Sequence, residues 1–136
     1  MKLVGFNFNK ISIEKFSDDL KDIRINTNIN ISEINSVKPG ILKTKEELVV
    51  ANFTFTVDYS PKIAKIELAG KVIISLDPKT SKEVLKQWKN KKIPENFKVG
   101  LFNVILKKSN IKSLQLEEEM NLPLHVPLPS LKKENN

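Results

Sequence analysis

Residues 94–129 read PENFKVGLFNVILKKSNIKSLQLEEEMNLPLHVPLP, and they join a long apolar helix pattern to a tail spaced by prolines. Pro94 lies at the predicted start of the helix, where proline is a favoured residue. The apolar residues behind it form a stripe too broad for a helix with one buried side: Phe97, Leu101, Phe102, Val104, Ile105, Ile111, Leu114, Leu116 and Met120. An unbroken helix would be about 40 Å long at ~1.5 Å per residue, more than the diameter of a domain of this size. We therefore expect an interruption near Ser109 and Asn110, or contacts that continue on another subunit.

The segment behind this helix is predicted to be extended. Asn121 can cap the helix, and Pro123 stops it. Pro127 and Pro129 hold Leu124, Val126 and Leu128 in an extended, polyproline-like path. Residues 130–136 are expected to form a frayed tail.

Ahead of the helix, alternation of apolar and polar residues predicts four β-strands. They cover residues 4–13, 23–31, 49–59 and 64–76. The alternation slips by one near Asn9, which is typical of a β-bulge, and Ser60–Lys62 forms the turn of a hairpin between the last two strands. Gly70 in mid-strand indicates a bend, a bulge or a close backbone approach. Because each strand has one polar face, a helical or oligomeric layer has to cover the other.

Two connecting segments carry further signals. Asp77 and Pro78 begin a short amphipathic helix that runs to Trp88, and its many lysines favour a solvated face over a docking surface. The segment 32–47 contains the turn signal Pro39–Gly40 and is about twice as long as a usual connection between strands. Its apolar residues argue against plain disorder: Ile34, Val37, Ile41 and Leu42.

Composition and length bound the class of protein. With 136 residues, we expect one domain over residues 1–136. The absence of cysteine excludes disulfides, thiolate metal sites and cysteine nucleophiles, and it suits a reducing cytoplasm. We find neither the apolar run of a signal peptide nor a run long enough to span a membrane, so we expect a cytoplasmic protein without membrane insertion.

The formal net charge of +7 is carried almost wholly by lysine. Such a charge attracts acidic partners, which include nucleic acids, anionic membrane faces and acidic proteins. Sequence-specific reading of bases leans on arginine, and Arg24 is the only arginine. Any binding of nucleic acid would therefore be unspecific.

No set of residues supports catalysis. His125 is the only histidine, and it lies between prolines without a rigid frame for a triad with Ser130. Glu117, Glu118 and Glu119 point in successive directions around a helix and cannot converge on one metal ion, so we expect a solvated or salt-bridged cluster. There is no glycine-rich phosphate loop. We predict no enzyme activity, no metal and no cofactor.

The order of these elements resembles the SecB-like protein-export chaperone family. A bulged strand, a second strand, a long crossover loop, a hairpin, a long helix and a proline-bearing tail follow one another. The matching segments are FNFNKISIEK, IRINTNINI, ELVVANFTFTVDYS with AKIELAGKVIISL, and PENFKVGLFNVILKKSN followed by LPLHVPLPSL. The likeness covers nearly the whole chain, and it lies in order and alternation rather than in a signature motif.

The resemblance implies an α+β fold, a four-stranded antiparallel sheet with the long helix packed on one face. It also implies an ATP-independent holdase of protein folding or transport, a homotetramer built as a dimer of dimers through the long helix and an edge strand. Unfolded polypeptide clients would bind in apolar grooves lined by Ile34, Val37, Ile41, Leu42, Leu122, Leu124 and Val126. The implied oligomer interface contains Phe97, Leu101, Phe102, Ile105 and Ile111.

Charge separates this chain from the export members of that family. Those members are acidic, and their acidic surface meets the motor protein SecA, so docking to SecA is not expected of a chain with net charge +7. An archaeal or other non-export relative fits better. Two alternatives stay open: a basic nucleic-acid-associated or other protein-binding module, and a structural subunit whose apolar loop is an oligomer contact.

Overall fold

The protein is described by a computed structural model, which covers residues 1–37 and 46–133. Its elements are β1 (Lys2–Lys15), β2 (Arg24–Val37), β3 (Glu47–Ser60), β4 (Ala64–Leu76), α1 (Pro78–Trp88) and α2 (Glu95–Glu119). The predicted α+β class is confirmed, with a four-stranded antiparallel sheet and the long helix packed on one face. Two of the predicted client-binding residues, Ile41 and Leu42, lie outside the described residues, as does the end of the predicted frayed tail.

The sheet has the order β1-β4-β3-β2, and all neighbouring strands are antiparallel. Strands β3 and β4 form the predicted hairpin, and the predicted bulge is confirmed by a register shift between Phe8 and Lys10 of β1. Gly70 of β4 lies opposite Phe8. A Cβ atom at Gly70 would come well inside van der Waals contact with the backbone oxygen of Asn7, and 3.0 Å from the ring of Phe53. The predicted close backbone approach therefore explains this glycine.

The core lies between one face of the sheet and the two helices. Along β3 every second residue is buried: Val49, Ala51, Phe53, Phe55, Val57 and Tyr59. Strand β4 adds Ile66, Leu68, Val72 and Ile74 on the same face. Burying each large apolar side chain stabilises the fold by about 1.5–3 kcal/mol. The two-residue alternation thus decides which face of the sheet meets the helices.

Helix α1 begins where the sequence predicts. Asp77 caps it, since its carboxylate accepts hydrogen bonds from the backbone N–H of Thr80 at 3.1 Å and from the Thr80 hydroxyl at 2.6 Å. These hydrogen bonds hold the pKa of Asp77 below its ordinary value. Pro78 occupies the first turn, where its missing N–H is not needed.

Helix α2 runs without interruption, so the first of the two predicted alternatives, a break near Ser109 and Asn110, is wrong. Its 25 residues span ~37 Å at ~1.5 Å per residue. Strand β3, with 14 residues at ~3.3 Å per residue, spans ~46 Å. The strands are thus at least as long as the helix, so the length of α2 does not by itself require a kink. The buried residues of α2 fall at every fourth position: Phe97, Leu101, Ile105, Ser109, Ser113 and Glu117.

The end of α2 is fixed by its predicted cap. Asn121 adopts a left-handed conformation with φ of 52°. The N–H of Leu122 donates to the carbonyl of Glu117 at 2.9 Å, and the N–H of Asn121 donates to that of Glu118 at 3.4 Å. This pair of bonds is a Schellman motif, which turns the chain back toward the sheet.

Candidate functional site

A groove of about 880 Å³ lies beside β2, and we call it the β2 groove. It is bounded by four consecutive residues of β2, the end of α1, the α1–α2 connection and the start of α2. Its apolar lining residues are all half-buried: Ile29, Ile31, Trp88, Ile93 and Phe102. Its polar lining residues are Asn30, Ser32, Gln87, Lys91, Lys92 and Lys98. The arrangement is an open apolar floor with a basic rim.

Strand β2 presents its edge to this groove. In the described part of the chain, β2 pairs with β3 alone, so its outer backbone N–H and C=O groups have no partner strand. The groove is lined by side chains from both faces of β2, which places it along the strand edge. A register shift between Ile31 and Glu33 puts a bulge at Ser32 within the groove. Such an edge can accept an extended peptide as an additional strand.

Two lysines of the rim lie over aromatic rings of the floor. The Nζ atom of Lys91 is 4.6 Å from the centroid of the Trp88 ring, and that of Lys98 is 5.5 Å from the Phe102 ring. These distances are within the range of cation–π attraction. Among the described residues, no aspartate or glutamate lines the groove, and Lys91, Lys92 and Lys98 form no salt bridge. The groove therefore has a positive rim whose charge is not neutralised there.

A second feature is a buried polar network at the end of α2. The side chain of Glu117 is 0% exposed, and that of His125 is 2% exposed. His125 Nδ1 lies 2.8 Å from Glu117 Oε1, and the backbone N–H of His125 donates to Glu117 Oε2 at 3.2 Å. The hydroxyl of Tyr59 donates to the same carboxylate. Burial of Tyr59, and then the hydrogen bond to Glu117 and its charge, raise the pKa of the tyrosine.

Of the three successive glutamates, which the sequence predicts to form a solvated or salt-bridged cluster, Glu117 is not solvated: it is buried and pairs with His125. Its position continues the buried row of α2, so its side chain faces β3, while Glu118 and Glu119 are exposed. A carboxylate at the C-terminal end of a helix is disfavoured by the helix dipole. The three hydrogen bonds from Tyr59 and His125 compensate for that position.

The same network holds the tail against the sheet. The Tyr59 hydroxyl lies 3.0 Å from the carbonyl oxygen of Pro123, and the His125 ring packs edge-to-face on Phe55 with centroids 6.3 Å apart. The second ring nitrogen, Nε2, lies 2.8 Å from Asn110 Oδ1. Both ring nitrogens thus lie within hydrogen-bond distance of a side-chain oxygen, so the ring is held from two sides. The contacts of His125 therefore hold the tail against α2 and the sheet.

None of the described residues predicted to bind clients lines the β2 groove. Ile34 is 3% exposed and Leu122 is 6% exposed, and both belong to the core. Ile34 pairs with Ala51 on the helix side of the sheet, so the long connection does not carry it to the surface. Leu124 and Val126 are half-buried in the tail, and Val37 is 45% exposed at the end of β2.

The residues predicted to form an oligomer interface fall into three groups. Phe97, Leu101 and Ile105 are buried in the core of this one chain, so they are not available to a second subunit. Phe102 lines the β2 groove. Ile111 is 50% exposed on α2. Exposed apolar side chains also lie at the other edge of the sheet, on and just beyond β1: Leu3, Val4, Ile11 and Phe16.

The sequence carries part of the signal for the groove. Alternation predicts that Ile29 and Ile31 share the dry face of their strand, and helical spacing places Trp88 on the apolar side of α1. It does not indicate that β2 is an edge strand, because strand order depends on pairings distant along the chain. Of the three rim lysines, Lys91 and Lys92 follow the lysine-rich helix α1, whose lysines the sequence predicts to form a solvated face, and Lys98 belongs to α2.

The described ranges 1–37 and 46–133 offer no candidate for a metal site or for a membrane-spanning helix. No group of three or more histidine, aspartate or glutamate side chains could hold a metal ion there. In the same ranges, neither helix is long and apolar enough to cross a membrane.

Comparison with known proteins gives a structural relative. No family model and no curated protein matches the sequence. A SecB-like chaperone of Mycobacterium tuberculosis, Rv1957, solved in complex with a ChAD peptide from the Rv1956 HigA1 antitoxin, has a similar structure with a TM-score of 0.54. The match covers 98% of this chain and 92% of that chain, at 8% sequence identity. The protein therefore has a SecB-like fold.

Proposed function

We propose that the protein is an ATP-independent chaperone, a holdase that binds unfolded or non-native polypeptides in the β2 groove. The observation that carries the proposal is the position of this groove, with its apolar side chains between polar ones, along a strand edge that has no partner strand among the described residues. The SecB-like fold supports it, since the structural relative is a chaperone solved with a bound peptide. No catalytic role is proposed, and the absence of cysteine suits a cytoplasmic location.

The groove can bind many sequences by one mechanism. An extended client places alternate side chains on one side, where they meet Ile31, Trp88 and Phe102. Its backbone lies beside the edge of β2, where main-chain hydrogen bonds give affinity that does not depend on side-chain identity. Burying apolar client surface supplies about 25 cal/mol per Å². Nothing in this mechanism consumes a nucleotide.

We also propose that the chain assembles as a homo-oligomer, a dimer of dimers. The support is the second edge strand, β1, whose outer backbone groups lack a partner strand among the described residues. Leu3 and Ile11 on β1, and Ile111 on α2, leave apolar side chains exposed. Pairing of the β1 edges of two subunits would cover Leu3 and Ile11, and contact between their α2 helices would cover Ile111.

Suppression of aggregation tests the proposed activity. A heat-denatured reporter is mixed with the protein, and light scattering is followed over time. The Trp88→Ala variant should weaken client binding about tenfold or more, because buried aromatic anchors carry much of the energy of an interface. The control is Leu131→Ala, which removes an apolar side chain that is 103% exposed in the tail. If Trp88→Ala lowers the melting temperature sharply, Ile93→Ser in the connection provides the same test.

The outcomes are distinct. Equal suppression by Trp88→Ala, Ile93→Ser and the wild type would show that clients do not use the groove. No suppression by the wild type at equimolar tetramer would remove the holdase proposal altogether.

A basic nucleic-acid-associated module is the second candidate. The observation that favours it is the placement of Lys91 beside Trp88, since single strands bind where bases stack on aromatic rings near cations. Such binding would weaken steeply with salt. Absence of an electrophoretic shift at low ionic strength would exclude it.

A further inference from the structure

We infer that the β2 groove selects extended client segments in which apolar side chains are flanked by aspartate or glutamate. This inference rests on the proposed function, because it assigns a class of client to the same groove. It predicts a preference for acidic segments over neutral ones and rejection of basic ones.

The first support is the sign of the charge around the groove. Three of its lining residues are lysines, Lys91, Lys92 and Lys98, and no described lining residue is acidic. The remaining polar lining side chains, Asn30, Ser32 and Gln87, carry no charge. A carboxylate on a bound segment would therefore meet opposite charge, and an ammonium group would meet like charge.

The second support is that two of these cations are already positioned. Lys91 lies over the Trp88 ring and Lys98 over the Phe102 ring, at 4.6 and 5.5 Å from the centroids. The side chains thus lose less conformational freedom when they pair with a carboxylate than free surface lysines would. The same rings form the floor, so apolar and charged recognition lie side by side.

The third support is the electrostatic field that the net charge of the whole chain produces. A net charge of +7 raises the rate at which acidic segments meet the protein, and the effect falls with ionic strength. Selectivity requires rejection as well as attraction. Three unneutralised lysines at one groove provide both, because bringing a basic segment beside them places like charges close together in a partly apolar site.

Three synthetic peptides test the inference. They share one extended apolar core without tryptophan and differ only in their flanking residues, which are aspartate and glutamate, asparagine and serine, or lysine. Binding is followed by fluorescence anisotropy of a terminal dye. At low salt, the acidic peptide should bind about tenfold more tightly than the neutral one, about 1.4 kcal/mol, and the lysine peptide more weakly than either. The acidic advantage should shrink as salt increases.

A charge-reversal variant locates the effect. Lys92→Glu with Lys98→Glu should reverse the order of the acidic and lysine peptides. Lys91 is left unchanged because its φ of 58° places it in the left-handed region. The control is Lys2→Glu with Lys71→Glu, which alters exposed lysines of β1 and β4 away from the groove. Both double variants lower the formal net charge from +7 to +3, so only the groove variant should reverse the preference.

The outcomes separate the inference from the function on which it rests. If no peptide binds, the proposed function fails. If all three bind equally, or if both double variants change the preference alike, peptide binding stands and the inference is overturned. If a single-stranded oligonucleotide displaces the acidic peptide at lower concentration than the unlabelled peptide does, the rim selects phosphate, and the inference is overturned as well.

Discussion

Replacing Glu117 with glutamine should destabilise the fold strongly. The change keeps the shape of the side chain but removes the charge that faces His125 at 2.8 Å, and it places an NH₂ group where a second acceptor oxygen was. Because the Glu117 side chain is 0% exposed, water cannot take over the lost interactions. Leaving the donors that face a buried carboxylate without an acceptor costs about 1–3 kcal/mol, and more where a group is charged. Glutamine retains one acceptor but also brings an NH₂ group among these donors, so we expect a loss of about 3 kcal/mol.

Urea unfolding at pH 7, followed by circular dichroism, measures this loss. The matched control is Glu118→Gln, which removes the same charge at the next, exposed position. It should change the free energy of unfolding by less than about 0.5 kcal/mol. Tyr59→Phe removes the hydroxyl that donates to Glu117 and should cost about 1.5–3 kcal/mol, the range for a hydrogen bond to a charged group.

A double-mutant cycle shows whether Glu117 and Tyr59 act in one network. The double variant should lose less than the sum of the two single losses, since each partner removes the same bond. A loss below about 1 kcal/mol for Glu117→Gln, or strict additivity with Tyr59→Phe, would refute the network as the structure describes it.

Three further predictions concern the scaffold and the assembly. Gly70→Ala should destabilise the fold by about 1–3 kcal/mol, because the added Cβ meets the backbone of β1. The control is Gly5→Ala, whose Cβ would lie 3.4 Å from the nearest atom and which should cost less. Equal losses of unfolding free energy in urea would contradict this prediction. Asp77→Ala should lower the melting temperature at neutral pH. Hydrogen bonds to Thr80 lower the pKa of Asp77, so its stabilisation is present above the ordinary carboxyl pKa and is lost as the pH falls through the pKa of the folded state. A difference in melting temperature between the wild type and the variant that persists in strong acid would contradict this prediction. Ile11→Glu should reduce the mass in solution from about four times 15.5 kDa, and a wild-type monomer in light scattering would exclude the proposed assembly.

The strands could be predicted from sequence because one rule decides them. Each strand buries one face, so its apolar residues recur with a period of two, and a slip of one residue would expose them all. The bulge near Asn9 and the close backbone approach at Gly70 could be predicted for the same reason, since each interrupts a regular pattern.

The length of α2 could not be judged from the helix pattern alone, because the strands that it packs on are at least as long. A helix of ~37 Å exceeds a compact sphere but not a strand of 14 residues. Glu117 was missed for a related reason. It continues the row of Phe97, Leu101 and Ile105 at intervals of four, a spacing visible in the sequence, but its acidic neighbours made it look like a surface residue.

The β2 groove could not be predicted in full, because it depends on strand order. The sequence places Ile31 on a strand and Trp88 on a helix, but only the order β1-β4-β3-β2 leaves β2 at an edge beside α1. Such order results from pairings between distant segments, which local periodicity does not encode.

The central claim is that non-native polypeptide binds in the β2 groove, and Trp88 allows a direct measurement. It is the only tryptophan of the chain, and it lines the groove. A tryptophan-free, permanently unfolded polypeptide carrying a dye is titrated into the protein, while the dye's anisotropy reports binding and Trp88 emission reports the groove. We predict a saturable blue shift of Trp88 emission, with the same midpoint as the anisotropy, because the client displaces water from the indole. Saturating anisotropy with unchanged Trp88 emission would contradict the account, since the client would then bind elsewhere.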